Sequence, residues 1–224
     1  MKKLLIPCCL IITLALALIT SAQAAVIFDG GAPDLLSGDE MTSYVEADDF
    51  LLPTASTLTD AHFWTLEGYG YAYGGNPWDG TLDYYIFADV SGQPGASPLY
   101  TGSAQNIVKV STGRTWNRGL EMGEYEYSFD LANPLSLSAN TTYWFGLHLA
   151  SDFNDRDEIY WETTGIGYGS VGFGAGGGTF DNWLNTTQQH AFQLTGTPIP
   201  EPCTMLLVGS GLLGVAGLRR KFKK

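Results

Sequence analysis

The run Tyr125-Glu126-Tyr127-Ser128-Phe129-Asp130-Leu131 constrains this chain more than any other stretch. Large apolar residues alternate singly with polar ones, and in an extended strand that period of two sends the sets to opposite faces. A helix would scatter them around its circumference. The spacing predicts a strand with an aromatic face turned inward and Glu126, Ser128 and Asp130 turned to water. Residues 143–149 repeat the device, with Tyr143, Phe145, Leu147 and Leu149 inward. Further short runs read as strands at 26–29, 45–52, 58–66, 81–90, 104–110, 158–163 and 190–195. Turn signals part them at Gly92-Gln93-Pro94-Gly95, Asn133-Pro134 and Ser138-Ala139-Asn140. No helical period intervenes, so the expected fold is all-β, a two-sheet antiparallel sandwich of jelly-roll-like form.

Charge narrows the choice of partner. Between residues 25 and 197 four cations, Lys109, Arg114, Arg118 and Arg156, face 22 carboxylates. A body so acidic repels phosphate backbones, which excludes nucleic acid. Disorder is excluded as well, because 28 of the 29 aromatic residues fall in this same stretch and supply a core. The cysteines Cys8, Cys9 and Cys203 all lie outside it, so the sandwich must hold without disulfides.

Both ends read as addresses. Met1-Lys2-Lys3 is a basic start, residues 4–19 are apolar with Pro7 and Thr13 as interruptions, and Ala22-Gln23-Ala24 gives a small-x-small cleavage pattern. That is a signal peptide, residues 1–24, cut by signal peptidase after Ala24; an uncleaved anchor is the alternative. Cys8 and Cys9 do not make it a lipoprotein signal, since a lipidated cysteine follows the apolar stretch. At the far end residues 204–218 carry no charge and run into Arg219, Arg220 and Lys221. As a helix at about 1.5 Å per residue this span is some 22 Å long, short of a hydrocarbon core of roughly 30 Å. The basic stop belongs on the cytoplasmic side, which agrees with export of everything before it.

Pro200-Glu201-Pro202, the glycine-spotted apolar span and the Arg219-Arg220-Lys221 stop, in that order, resemble the PEP-CTERM sorting tail. The same tail also goes under an ice-binding-protein label, although no flat threonine ladder accompanies it here. The resemblance implies recognition by a membrane-embedded exosortase, with cleavage near the triplet. Physically, prolines at 200 and 202 keep the segment extended outside the membrane, with Glu201 as the polar handle and the apolar span setting its depth. Cys203 stands where Ser, Ala or Thr is usual in that family, and reads as a small apolar residue or a lipidation site. Farther back, Ala47-Asp48-Asp49-Phe50, Phe63-Trp64, Ile86-Phe87-Ala88-Asp89, Thr141-Thr142-Tyr143-Trp144 and Ala191-Phe192-Gln193-Leu194-Thr195-Gly196 resemble a recurrent ectodomain of PEP-CTERM exoproteins. That resemblance implies a β-sandwich without assigned activity, in a Gram-negative organism that makes exopolysaccharide. The organisation is then a signal peptide (1–24), a β-sandwich ectodomain (25–197) and a sorting tail (198–224) with an apolar helix.

Two ligand chemistries suggest themselves for the ectodomain. Asp152, Asn154, Asp155, Asp157 and Glu158 crowd oxygen ligands into seven residues, which suits a weak extracellular Ca²⁺ site; Arg156 and the missing turn glycine favour a solvated hairpin loop instead. Asp48 and Asp49 with Asp29 are a second acidic group. Tyr69, Tyr71, Trp78, Trp116 and Trp183 lie in or near loops, where flat rings stack on sugars, although Tyr69, Tyr71 and Tyr73 also alternate as a strand face would. The glycine-rich residues 165–178 lack the lysine of a phosphate loop and read as a flexible connection or a tight β-arch.

Catalysis finds little support. His62, His148 and His190 fall on expected strands without zinc spacing, His148 reading as a solvent-face or core-edge residue, and no Gly-x-Ser-x-Gly elbow occurs. The sequence therefore reads as a non-enzymatic, exported surface or matrix protein without a cofactor unless Ca²⁺ binds, and with exopolysaccharide as the candidate ligand. A secreted glycan-binding or glycan-hydrolysing protein is the alternative.

Overall fold

The computed structural model describes residues 24–68, 78–117, 121–154 and 158–200. These form strands and no helix: β1 (Ala25–Asp29), β2 (Pro33–Glu40), β3 (Tyr44–Leu51), β4 (Ser56–Gly68), β5 (Asp83–Asp89), β6 (Pro94–Ser103), β7 (Gln105–Asn117), β8 (Glu121–Leu137), β9 (Thr142–His148), β10 (Ile159–Thr164), β11 (Phe173–Gly176), β12 (Leu184–Asn185) and β13 (Phe192–Pro198). All pairings are antiparallel and divide between two sheets.

β4 is the spine of the first sheet. One edge pairs with β8 from Ser56↔Leu137 to Gly68↔Met122. The other edge is shared end to end by β13, opposite Ser56 to Phe63, and β10, opposite Thr65 to Glu67. β1, β2 and β7 then extend β13, β10 and β8. The second sheet runs β12-β11-β3-β9-β5-β6.

The alternation in residues 125–131 does what its period predicts: Tyr127 and Phe129 are buried inward, while Ser128 and Asp130 stay half-exposed. Phe63, Trp161 and Phe192 join them from the first sheet, and Phe50, Tyr84, Ile86, Phe145 and Leu147 meet them from the second. Tyr84 stacks on Phe129 at 5.9 Å, and Phe145 lies 5.5 Å from Phe192 and 6.1 Å from Trp161, centroid to centroid. Each such side chain contributes about 1.5–3 kcal/mol on burial. Every residue of this core lies between Phe28 and Leu194, so the sandwich carries its own core independently of both apolar ends.

The second sheet is covered on its outer face too. Phe173 packs on Trp144 at 5.3 Å, and Phe180 and Trp183 each pack on Phe87 at 5.1 Å. The glycine-rich stretch is therefore a cover rather than a loose connection: β11 joins the sheet beside β3, with Gly174 opposite Glu46. Asn133-Pro134 is not a turn between strands. It lies inside β8, where the register slips between Leu58 and Asp60 of β4 and the extra residues bulge out.

Chain ends converge on the first sheet. Ala25, the first residue of β1, pairs with Gly196, and Ile199 beyond β13 donates its N–H to the Ala55 carbonyl at 2.7 Å.

Candidate functional site

The sandwich holds an internal ionic cluster. His190, just before β13, is 1% exposed and its ring stacks on Trp161 at 4.7 Å. Its Nε2 lies 2.9 Å from Asp39 Oδ2 and its Nδ1 3.2 Å from Asp48 Oδ2, which also accepts the His190 backbone N–H at 2.5 Å. Burial opposes a charged imidazole, but hydrogen bonds and attraction from Asp39 and Asp48 outweigh it and push His190 up to about 10. Beside it Glu46, 4% exposed, leaves Oε2 without a hydrogen-bond partner. Burial, partly countered by His190 and reinforced by Asp39 and Glu40, raises Glu46 to about 8, so it is a neutral acid at pH 7. Glycines make the space. A Cβ on Gly172 would lie 2.5 Å from His190 Cε1, and one on Gly174 would lie 2.6 Å from Glu46 Oε1.

A second cluster lies on the outer face of the first sheet, beneath the β7–β8 arm. Glu124 and Glu162 are 1% and 0% exposed. Arg114 grips Glu124 with both Nε and Nη2, Thr112 Oγ1 donates to the same carboxylate, and Glu124 and Glu162 lie within hydrogen-bonding reach of each other. Burial would raise Glu124, but Arg114 and Thr112 hold it below its ordinary value. Glu162 is raised to about 8, first by burial and then by the Glu124 charge, so the pair shares a proton.

The arm and Glu162 brace β2. Gly38 pairs with Glu162 and Pro33 with Thr164, so residues 34–37 bulge out opposite Thr163 alone. Glu162 Oε1 accepts the Leu35 N–H at 2.6 Å, Arg114 Nη2 donates to the Pro33 carbonyl at 3.2 Å, and Trp116 Nε1 donates to the Leu36 carbonyl at 3.1 Å. Asp34 Oδ1 accepts from Leu36 N at 2.9 Å and from Thr163 Oγ1 at 2.8 Å. Leu35 is held at φ 56, a conformation a branched residue adopts only when its surroundings impose it.

Between this bulge, the end of β10 and the turn before β13 runs an open cleft of about 500 Å³. Ser37, Thr163, Thr164, Thr187, Gln188 and Gln189 give it hydroxyl and amide walls, Asp34 its carboxylate and Leu36 its apolar contact. Thr187, which lines the cleft, also has positive φ, at 65°. Its N–H donates to Asn185 Oδ1 at 2.7 Å.

The residues singled out from sequence are dispersed. Trp78 donates Nε1 to the Thr81 carbonyl at 2.8 Å and packs edge-on against Tyr127, closing one end of the core. Trp183 donates to the Gly95 carbonyl at 3.3 Å and covers the second sheet, whereas Trp116 adjoins Leu36 at the cleft. Tyr69 and Tyr71 lie outside the described residues. So do Asp155 and Asp157 of the acidic loop, where Asp152 Oδ1 caps the Asn154 N–H at 2.7 Å and Glu158 accepts from the Tyr160 hydroxyl. Among the described residues no group of three or more His, Cys, Asp or Glu is placed to hold a metal. Asp29 does not join Asp48 and Asp49; it bonds the Gly31 N–H at 3.0 Å, and Asp48 and Asp49 point to opposite faces of β3. His148 is neither solvent-facing nor at the core edge. It is 1% exposed on the outer face of the second sheet, stacked 3.8 Å from Phe153, with Nε2 donating to the Thr42 carbonyl.

Sequence reading missed His190, Glu46, Glu124, Glu162 and the cleft. The available signal was a carboxylate at an inward position of an otherwise apolar strand, as with Glu46 and Asp48 in phase with Phe50.

Ala24 precedes β1 directly and Pro200 closes the described chain; Ala22, Glu201, Pro202, the apolar helix and the basic stop Arg219, Arg220 and Lys221 lie outside it. No curated protein matches the chain. Residues 198–221 match the PEP-CTERM protein-sorting motif, beginning at Pro198, the last residue of β13. The chain thus carries, joined to its last strand, the sorting signal of a secreted, exosortase-processed protein.

Proposed function

We propose that the sandwich is a non-catalytic surface or extracellular-matrix module that contacts exopolysaccharide after signal peptidase removes residues 1–24 and an exosortase acts on the tail. The observation that carries this reading is the sorting motif following β13 without a linker, which delivers a folded, acidic, cysteine-free domain to the cell exterior. The apolar span would hold the chain transiently in the inner membrane during that step. A binding role also accords with the polar cleft and with the braced bulge that forms its wall.

The test is co-sedimentation of residues 25–200 with exopolysaccharide purified from the producing organism, in millimolar Ca²⁺ and in EDTA. Retention above that of a neutral control protein is expected in both buffers. Retention lost in EDTA would move the contact to the acidic loop around Asp152, and no retention in either buffer would refute the matrix role.

A further inference from the structure

We propose that the cleft between the β2 bulge and the turn at 187–189 is a binding subsite for an uncharged saccharide, two or so pyranose units of a neutral polymer. The inference rests on the matrix reading and adds the site and the ligand class.

The cleft's chemistry selects the ligand. Ser37, Thr187 and Gln188 bring hydroxyls and an amide to the cleft, as ring hydroxyls require, while Thr163 Oγ1 and Gln189 Nε2 are held by protein acceptors, and the lining contains no lysine, arginine or histidine. Its charged group is Asp34, an acceptor already turned toward Leu36 N and Thr163 Oγ1 and still offering lone pairs. Of the cations around it, His190, bridged to Thr163, is buried and engaged by Asp39 and Asp48, and Arg114 is engaged by Glu124 and the Pro33 carbonyl. A uronate or sulfated sugar would meet Asp34 and the surrounding acidic body with no counter-charge. A neutral sugar would not. Leu36, 51% exposed and backed by Trp116, offers the apolar patch on which a pyranose face rests.

The cleft's mechanics favour a preformed site. The backbone entering and forming the bulge, at Pro33, Leu35 and Leu36, is tied to Arg114, Glu162 and Trp116, none of which lines the cleft. Thr163 Oγ1 ties the floor to Asp34 and to the Ser37 carbonyl, at 2.8 and 3.0 Å. A wall so restrained loses little conformational freedom on binding, the condition under which a small set of hydroxyl contacts gives measurable affinity. At about 500 Å³ the cleft falls within the range of small-ligand sites, roughly 300–1,000 Å³.

The experiment titrates residues 25–200 with tetrasaccharides of glucose, galactose and mannose and with a uronate tetrasaccharide, by calorimetry and by amide NMR. One or more neutral probes should bind, shifting the amides of Leu36, Thr164 and Gln188. The uronate should bind at least about tenfold more weakly. Gln188→Trp, which fills the cleft from its rim, should weaken the neutral probe at least about tenfold without moving the melting temperature; the shift map locates the site even if that variant folds poorly. A uronate preference, shifts confined to other surfaces, or neutral binding unchanged in a folded Gln188→Trp overturns the proposal. If exopolysaccharide co-sediments equally with wild type and Gln188→Trp, the cleft assignment falls and the matrix reading stands. If neither polymer nor any probe is bound, both fall.

Discussion

Raising the pH from 4.5 to 8 should destabilise this domain, and Glu46 should be a principal cause. In the unfolded chain Glu46 releases its proton near its ordinary value of 4.5; in the fold it keeps the proton until about 8. Between those values unfolding releases a proton, so stability is greatest below about pH 4.5 and falls as pH rises toward 8. A displacement of that size, at about 1.4 kcal/mol per pKa unit, sets a ceiling near 5 kcal/mol for this one group. Water entry as the carboxylate forms should reduce it to about 2–3 kcal/mol. Glu162, raised to about 8, and Asp49, raised to about 7 by burial and by Asp48, act with the same sign. Glu46→Gln isolates the first contribution, because the amide has the carboxyl's shape and does not titrate. The assay is thermal unfolding of residues 25–200 from pH 4.5 to 8.5, wild type against Glu46→Gln. The two should melt together at pH 4.5, and the variant should lead by about 5–10 °C at pH 8, at roughly 2–4 °C per kcal/mol for a domain of this size. Parallel curves across the whole range would refute the reasoning.

Other expectations follow from the same contacts. Gly174→Ala brings a Cβ to 2.6 Å from Glu46 Oε1 and should cost about 1–3 kcal/mol in urea unfolding, a loss that Glu46→Ala should relieve in the double variant. Asp48→Asn strips one counter-ion from a buried imidazolium while keeping an acceptor, and should cost about 2–4 kcal/mol at pH 6; the penalty should shrink as pH rises through about 10, where His190 loses its proton. Arg114→Ala leaves Glu124 buried without its cation and frees the Pro33 carbonyl, and hydrogen exchange should show faster opening at the Leu35 amide, which Glu162 holds, and at the neighbouring Leu36 amide. With Asp152 and Glu158 already accepting from Asn154 and Tyr160, melting temperatures in millimolar Ca²⁺ and in EDTA should coincide.

Most strands that sequence makes legible have a buried apolar face; β7, an edge strand with no buried residue, is legible from its β-branched Ile107, Val108 and Val110. The runs beginning at 26, 45, 58, 81, 104, 125, 143, 158 and 190 all fall on strands, because a half-buried pleat imposes its period on composition. β2 and β6 escape notice for the opposite reason. Both are edge strands, and an edge tolerates Pro33, Pro94 and Pro98, since one side of its backbone ladder needs no donor. β11 hides for a different cause. Its glycines are a response to Glu46 and its neighbours, which a local window does not contain.

The cleft was illegible because it depends on residues far apart in the chain. Thr163 and Asp34 are 129 positions apart, and the bulge between them exists only through a register slip of β2 against β10. The buried carboxylates show the same limit. Glu162 reads locally as the outward member of an alternating strand, and its burial comes from an arm more than forty residues earlier. At the tail the balance reverses. There, order and composition in a short linear stretch carry the whole signal, and the folded domain adds only the place from which it emerges.

The most direct test of the central claim is fractionation of the producing organism expressing the full chain or a variant with Pro200, Glu201 and Pro202 all changed to alanine. The native chain should appear at the cell surface or in the matrix without its tail, while the variant should stay in the inner membrane at full length. Equal surface delivery of both chains, each with an intact tail, would contradict it.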